Sequence, residues 1–524
     1  DFGFYEKMQV PSPTWCPECR LIRRLARRNE RSFHRRTCEK CIKQMISIFA
    51  EDSGVHVYCS PCWWSDSWDG LEYGGDVDFS KPFLPQLDEL FHRVPIMTLY
   101  GLYTTLVNSD YTNMVGHLKN CYMVTYSDHC EDATYGSFVN WSKNCVDNLM
   151  AERCELCYET INCSKCYRTF FSVDCEGCSD VWFSKNCAGC NNCFGCVNLR
   201  NKSYHIFNEP YSKEEYEKKL KELYPDSLEK IEATQKKVEA LWKEAPQKFM
   251  HGWRNTASSG DYLTDTKNAK DCFIGFDMED SRYCTFVTGK LTDAYDFTNY
   301  GENSSKIYET LQAGDQVYNI KFSHWAITNC QNMEYSLFCV GSKDLFGCVG
   351  LKKRQYCIFN KQYSKEGYEE LVAKIKSQMT KAGEYGEFFP ISISPFGYNE
   401  TTAQEFFPLT KEQALAIGYT WRDPVSRDYK IGGDVVACEN AGKTTSCTTA
   451  FKLVPQELQF YERMNFPVPK LCPNCRHERR LAFRNPMKLW SRQCAKCSKE
   501  IQTSYSPERP EIVYCESCYQ QEII

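Results

Sequence analysis

Residues 16–20, CPECR, return near the other end of the chain as residues 472–476, CPNCR. The offset of 456 residues then holds without a gap through two further pairs of cysteines in each copy. These pairs are Cys38/Cys41 and Cys59/Cys62 in the N-terminal copy, and Cys494/Cys497 and Cys515/Cys518 in the C-terminal copy. One cysteine module therefore occurs twice, once at each end of the chain.

The spacing of these cysteines is typical of metal binding. A CxxC pair places two thiolates on one tight turn, and two such pairs complete a tetrahedral zinc site, so the pairs must come in even numbers. The C-terminal copy reaches an even number because Cys438 and Cys447 lie just upstream. Inert buried thiols or disulfides are the alternative, which this spacing disfavours.

The segment Cys447 to Cys475 resembles the bacterial probable zinc-ribbon domain. In that family the second cysteine is followed at these distances by Phe, Glu and Phe-Tyr, here Phe451, Glu457 and Phe460-Tyr461. The family has two residues between its first two cysteines, whereas eight residues separate Cys438 and Cys447. We expect two zinc sites in series, Cys438/Cys447/Cys472/Cys475 and Cys494/Cys497/Cys515/Cys518.

The same offset places the missing N-terminal pair before residue 1. We expect an upstream segment to supply it, which makes Cys16 and Cys19 half of a fourth site. Cys38, Cys41, Cys59 and Cys62 form a complete site. The sequence thus predicts three complete zinc sites with four cysteines each.

Composition indicates a protein of several domains in a reducing compartment. The 524 residues include 33 cysteines, many of them in CxxC pairs, which favours cytoplasmic metal binding over a secreted disulfide framework. The sequence contains no apolar run of about 18 residues, so it predicts no membrane-spanning helix. The formal net charge is -5, but both ends are basic, so the middle of the chain is acidic.

Arginines crowd the N-terminal module. Six of them recur at helical spacing after Cys19, which on one helix would give a face covered by guanidinium groups. We predict that this face and its C-terminal counterpart bind nucleic acid, RNA in preference, through Arg20, Arg23, Arg24, Arg27, Arg28, Arg31, Arg476 and Arg480. The alternative is that these arginines compensate the charge of the thiolate sites.

A short period of cysteines dominates residues 116–211. Cys163, Cys175 and Cys187 recur every 12 residues, and turn residues separate strand-like pieces. This pattern predicts a parallel β-solenoid with coils of about 24 residues, or two faces of about 12. We interpret its cysteines as stacked interior thiols, with additional zinc or an iron-sulfur cluster as the alternative.

A second duplication lies inside the first. Residues 194–199, FGCVNL, return as residues 346–351, FGCVGL, at an offset of 152. The predicted fold is therefore mainly β, with a solenoid in two duplicated segments, terminal zinc-ribbon or treble-clef-like modules and a few helices. The expected boundaries are a zinc module at 1–75, a linker with a short helix at 76–115, solenoids at 116–211 and 251–363, a helical connector at 212–250, a helix at 364–385, a linker at 386–437 and a two-zinc module at 438–524.

Over nearly its full length the chain resembles cysteine-rich zinc-ribbon proteins of candidate-phyla bacteria, some of which are labelled as CaiB/BaiF-type CoA-transferases. The resemblance rests on the CPxCR, VYCxxCY and FGCVxL segments. It implies no activity, and nothing in the sequence supports CoA transfer or a small-molecule substrate.

The leading hypothesis for the function is a non-enzymatic zinc scaffold that binds RNA. A protein docking or assembly factor is the alternative, in which the solenoid and Trp63, Trp64 and Trp68 contact a protein partner or a second copy of the chain. Packing of these tryptophans onto the next domain is their more common role. A β-helix enzyme is the third hypothesis, without support from paired carboxylates or an open metal site.

Overall fold

The computed structural model describes residues 2–423 and 429–523. Short helices flank long runs of strands, so the protein is mainly β. Within these ranges the α-helices are α1 Phe2–Met8, α2 Pro17–Leu25, α3 Ser60–Trp64, α4 Phe83–Arg93, α5 Lys213–Leu223, α6 Leu228–Glu244, α7 Lys365–Lys381, α8 Thr402–Phe406, α9 Lys411–Ala416, α10 Pro455–Met464, α11 Pro473–Leu481 and α12 Glu516–Ile523.

The strands fall into two long series and two small terminal groups. The N-terminal group and the strand that follows it are β1 His34–Thr37, β2 Gln44–Ser47, β3 Val57–Tyr58 and β4 Ile96–Met97. The first strand series is β5 Asn113–Gly116, β6 Thr125–Asp128, β7 Ser137–Asn140, β8 Leu149–Glu152, β9 Ile161–Ser164, β10 Tyr167–Phe170, β11 Ser179–Trp182, β12 Asn191–Phe194 and β13 Ser203–Ile206, closed by β14 Glu209–Pro210.

The second strand series follows the two connecting helices. After β15 Gln247–Lys248 it comprises β16 Gly252–Trp253, β17 Gly260–Thr264, β18 Cys272–Phe276, β19 Met278–Arg282, β20 Thr285–Val287, β21 Leu291–Tyr300, β22 Ser304–Gly314, β23 Tyr318–Lys321, β24 His324–Ile327, β25 Gln331–Glu334, β26 Leu337–Val340, β27 Lys343–Phe346 and β28 Gln355–Ile358, closed by β29 Lys361–Gln362. The C-terminal group is β30 Val435–Ala437, β31 Ala450–Lys452, β32 Trp490–Gln493, β33 Glu500–Thr503 and β34 Val513–Tyr514.

Strands of the first series pair in parallel at a constant offset. Asn113 is paired with Thr125, Thr125 with Ser137, and Ser137 with Leu149. The pairing offset is twelve residues throughout this series, so a side chain stacks on the one twelve positions later. Paired residues are therefore twelve positions apart in the sequence, and not 24 as the expected coil length would give.

Every third residue from Cys121 to Cys196 is buried. The residue before many of these positions has a left-handed backbone, such as Asn120 at φ 53° and Met123 at φ 51°. A left-handed residue turns the chain sharply, so each twelve-residue repeat has four corners and four inward side chains. Such a small cross-section admits only small inward residues, mainly Cys, Ser, Thr, Val and Ala.

The second series is less regular. Its pairing offset is twelve at Gly260 with Cys272 but thirteen at Leu291 with Ser304. Larger residues, among them Phe297, Ile307 and Ile320, enter its interior. The wider repeats explain why the same architecture needs fewer cysteines here.

Antiparallel hairpins and capped helices close both series. Hairpin β13/β14 leads to α5, which begins with a capping box formed by Ser212 and Glu215, and β28/β29 leads to α7. Strand β3 pairs in parallel with β4, and β34 pairs in the same way with β15. The two ends of the chain therefore join the rest of the fold in the same manner. In the part of the chain that the structure describes, no helix has the length and apolar character needed to span a membrane.

Candidate metal centres and their docking surfaces

Three groups of four cysteines come together as predicted. In each group the four sulfur atoms lie within 4.8 Å of one another, which is close enough to share a metal ion. The groups are Cys38/Cys41/Cys59/Cys62, Cys438/Cys447/Cys472/Cys475 and Cys494/Cys497/Cys515/Cys518. Cys438, whose spacing departs from the zinc-ribbon pattern, thus joins its predicted partners.

Hairpins and helix starts position these sulfurs. Strands β1 and β2 form a hairpin whose turn carries Cys38 and Cys41. Cys59 precedes α3 at its N-cap position. The backbone N–H of Cys59 donates to the Cys38 sulfur at 3.2 Å, and Cys515 donates to Cys494 at the same distance.

The sulfurs are reduced and suited to bind metal. Cys41 and Cys59 have sulfurs 3.7 Å apart, as do Cys497 and Cys515, which is far beyond a disulfide bond of about 2.05 Å. Burial raises the pKa of Cys38, but N–H donors, first that of Cys59, outweigh burial and lower the pKa to about 7. The Cys38 thiolate is therefore accessible near neutral pH.

Cys16 and Cys19 differ from the other predicted ligands. Both are exposed, and the Cys19 N–H donates to the Cys16 sulfur at 3.3 Å. No second pair of thiolates meets them in residues 2–423 or 429–523. The fourth site remains a prediction.

A smaller group of metal-binding residues escaped the sequence analysis. His117, Asp128 and His129 bring one ligand atom each within 4.8 Å of one another on an exposed edge of the first series. Both imidazoles contact the same oxygen of Asp128, at 2.9 and 3.2 Å. The twelve-residue spacing of the two histidines is the signal that would have revealed this contact.

The predicted arginine faces lie inside the protein. Helix α2 ends at Leu25, so Arg27, Arg28 and Arg31 lie beyond it and the single long face does not form. Seven of the eight arginines are at most 3% exposed, and Arg31 is partly buried. The seven are Arg20, Arg23, Arg24, Arg27, Arg28, Arg476 and Arg480. Their assignment as phosphate contacts is wrong in this structure, because their guanidinium groups face protein and not solvent.

Helix α2 docks on the second strand series through these arginines. Arg20 and Arg24 both contact Asp296 of β21, at 2.8 and 3.3 Å. Arg23 contacts Glu309 of β22, and also Glu387 at 2.9 Å. Asp296 and Glu309 are themselves buried, so the pairs are shielded from water.

Helix α11 repeats the arrangement on the first strand series. Arg476 and Arg480 both contact Asp147, at 2.7 and 3.0 Å. Arg480 also contacts Glu159 at 3.2 Å, as does Arg479 at 2.9 Å. Helix α2 of the N-terminal module therefore docks on the second series, and helix α11 of the C-terminal module docks on the first.

Nearby acidic groups raise the pKa of the buried Arg476. Burial lowers the pKa of Arg476, but Asp147, and with it Tyr461 and Glu457, outweigh burial and raise the pKa well above its usual value. Sequence analysis missed Asp147, Glu159, Asp296 and Glu309. A signal was available in the inner duplication. Asp296 follows Asp147, and Glu309 follows Glu159, at nearly the 152-residue offset of that duplication.

The three N-terminal tryptophans also pack inward. Trp63 and Trp68 are buried, and Trp64 is partly buried. The Trp63 indole N–H donates to the Pro95 carbonyl at 3.1 Å, and the ring lies edge-on to Trp325. The hypothesis that these tryptophans form a partner surface is wrong, because they join the N-terminal module to the second series.

A cleft of about 1320 Å³ separates the two strand series. Trp141, Trp253 and Phe276 line it and are 56%, 42% and 46% exposed. The His129 ring stacks on Trp141 with centroids 3.8 Å apart. Lys165 and Arg254 lie 5.7 and 5.2 Å from the Trp253 ring centre. Exposed aromatic rings thus alternate with cations on its walls.

No protein-family model matches the sequence, and no curated protein matches it. One similar solved structure is described as a putative acetyltransferase from Desulfovibrio desulfuricans G20. It shares 12% identity with this chain, the match covers 44% of this chain and 63% of that one, and the TM-score is 0.11. This chain therefore spans less than two thirds of that structure, and so low a score carries no argument about fold or function.

Proposed function

We propose that the protein is a non-enzymatic zinc scaffold in which two terminal zinc modules hold two β-solenoids together. The observation that carries this proposal is the crossed docking of two helices: α2 and α11 each bind, through arginines, the strand series that is farther from them along the chain. Equivalent arginine–carboxylate contacts at Asp147 and Asp296 support it. Removing either module would therefore expose buried carboxylates of a series.

The solenoid part of the proposal rests on the parallel pairing. A chain that pairs with itself every twelve or thirteen residues advances by one strand spacing, about 4.8 Å, per repeat. Four inward residues per repeat leave an interior for small side chains such as Cys163 and Cys175. We propose that these thiols are packing residues, and that they hydrogen-bond to backbone carbonyls, as Cys163 does to Ser172 at 3.6 Å.

Zinc is the metal that best fits the three thiolate groups. A tetrahedral ion with metal–sulfur distances of about 2.3 Å requires sulfur–sulfur edges of about 3.8 Å. The sulfurs of Cys472 and Cys475 are 3.5 Å apart, and those of Cys438 and Cys475 are 3.9 Å apart. Four cysteines leave no position open for water or substrate, which favours a structural role. Free thiols throughout favour a reducing compartment, which we propose is the cytoplasm.

Elemental analysis of the purified protein tests this proposal. We expect at least three zinc ions per chain, one for each four-cysteine group, and about one fewer in a Cys494→Ser/Cys497→Ser variant. A Cys163→Ala variant is the matched control, because it removes a thiol without changing the zinc content. Chelation should release the modules and expose them to protease. Zinc-free protein that keeps its protease resistance would refute the proposal.

We propose the cleft between the two series as the partner-binding surface of this scaffold. Exposed Trp141, Trp253 and Phe276 form an apolar surface with polar residues around it, as protein-binding sites commonly do. We also propose that the chain belongs with the cysteine-rich zinc-ribbon proteins that it resembles. That resemblance implies no catalytic activity, which is compatible with a scaffold that binds a partner.

We propose nucleic-acid binding in the cleft as the second candidate. Aromatic rings beside cations bind single-stranded RNA by stacking and by phosphate contacts, and Trp253 with Lys165 and Arg254 has this composition. A salt titration with mixed single-stranded RNA separates the candidates. Binding that weakens with salt and falls at least tenfold in Trp253→Ala supports RNA. No binding at low salt leaves the protein-docking proposal alone.

A further inference from the structure

The exposed pair Cys16 and Cys19 has the same local structure as a pair that is buried in a metal group. Cys16 is the N-cap of α2, and Pro17 begins that helix. Cys472 is the N-cap of α11, and Pro473 begins that helix. Both helices then use arginines at equivalent positions to dock on a strand series. The two pairs are therefore held by the same scaffold.

The pair Cys472/Cys475 is buried, unlike Cys16/Cys19, because a β-hairpin covers it. Cys472 and Cys475 are 0% and 3% exposed because strands β30 and β31 and the loop between them cover them. That loop region carries Cys438 and Cys447, which complete the thiolate group. In residues 2–423 and 429–523 no hairpin covers Cys16 and Cys19.

We propose that Cys16 and Cys19 form a docking site for a β-hairpin that carries two cysteines, joined to them by a zinc ion. The proposal rests on the zinc scaffold proposed above and names a partner for it. Two thiolates on one turn satisfy half of a tetrahedral ion, so the partner must bring the other two. The hairpin of residues 435–452 shows which partner chemistry this surface accepts.

The contacts of that hairpin indicate how the partner must differ from it. The Asn474 amide donates to the Ser446 carbonyl at 2.9 Å, and Glu478 accepts from the Ser446 hydroxyl at 2.5 Å. At the N-terminal site Glu18 stands in place of Asn474, and Ile22 in place of Glu478. Lys488 already contacts Glu18 at 3.4 Å, so a matching hairpin would differ from residues 435–452 by placing an apolar side chain on Ile22.

Cobalt binding to the zinc-loaded protein tests the proposal. The probe is a synthetic peptide of residues 433–453 with Ser446→Leu, which contains Cys438 and Cys447 and carries an apolar side chain to face Ile22. Zinc binds thiolates more tightly than cobalt does, so under a reductant cobalt should occupy only an unfilled site. We expect the peptide to add one cobalt per chain with the visible bands of a tetrahedral thiolate site.

Two variants control the experiment. A Cys16→Ser/Cys19→Ser protein should keep its zinc and lose the added cobalt. A peptide with Cys438→Ser and Cys447→Ser should add no cobalt to the unchanged protein. Both residues of the protein variant are exposed, so its fold is expected to survive, and its zinc content checks this.

The outcomes separate this inference from the proposed function. If the protein carries three zinc ions but the peptide adds no cobalt, the docking site is wrong and the zinc scaffold stands. If the same cobalt spectrum appears without peptide, a second copy of the chain closes the site, and the hairpin proposal is wrong. Protein without zinc at its three four-cysteine groups refutes the scaffold itself.

Discussion

Replacing Asp147 by Asn should release the C-terminal module from the first strand series. Arg476 and Arg480, each 1% exposed, share this carboxylate at 2.7 and 3.0 Å. At an effective dielectric constant near 20, one pair of charges about 4 Å apart contributes roughly 4 kcal/mol. Removing one partner of a buried pair costs about 3–5 kcal/mol. Glu457 and Glu159 still contact the two arginines, so we expect a loss of about 3 kcal/mol at this interface.

Hydrogen exchange measures this loss locally, which suits a protein of several parts that need not unfold in one step. A loss of about 3 kcal/mol should make the slow amides of α11 exchange roughly 100-fold faster. Amides of α2, docked on the other series through Asp296, should not change. The zinc content should also stay the same, because Asp147 binds no metal.

The matched control is Asp180→Asn on the same strand series. Asp180 contacts Arg168 at 2.7 Å, but the two side chains are 33% and 40% exposed. Solvent screening limits such a pair to about 0–1 kcal/mol. Exchange in α11 that is no faster in the Asp147 variant than in this control would refute the view that buried ion pairs hold the modules.

Two further predictions concern the interior. Cys175→Leu should lower the thermal stability of the zinc-loaded protein more than Cys175→Ala does. The narrow interior leaves no room for a larger side chain, and overpacking costs about 1–3 kcal/mol. Equal losses of stability in the two variants would contradict a tightly packed interior. Burial, and then Arg27 and Arg28, lower the pKa of His324 well below its usual value, so below about pH 6.5 the unfolded chain binds a proton that the folded protein does not. Stability should therefore fall with falling pH by up to about 1.4 kcal/mol per unit at this site, and His324→Phe should remove that part of the slope in denaturation curves, whereas a His205→Gln control should not.

Local chemistry explains what the sequence predicted well. The cysteine spacing predicted the membership of all three four-cysteine groups, because a metal site formed by short turns is defined by nearby residues. The twelve-residue period of cysteines predicted parallel strand pairing, although it did not fix the number of residues per repeat.

The arginines show what the sequence left open. Their helical spacing was equally consistent with a solvent-facing surface and with a buried contact, since spacing defines a face but not what covers it. Only the tertiary structure decided this, by bringing Asp296 to Arg20 and Asp147 to Arg476 from hundreds of residues away. Burial of a charged face depends on a counter-charge supplied by another part of the chain, and no local pattern contains that information.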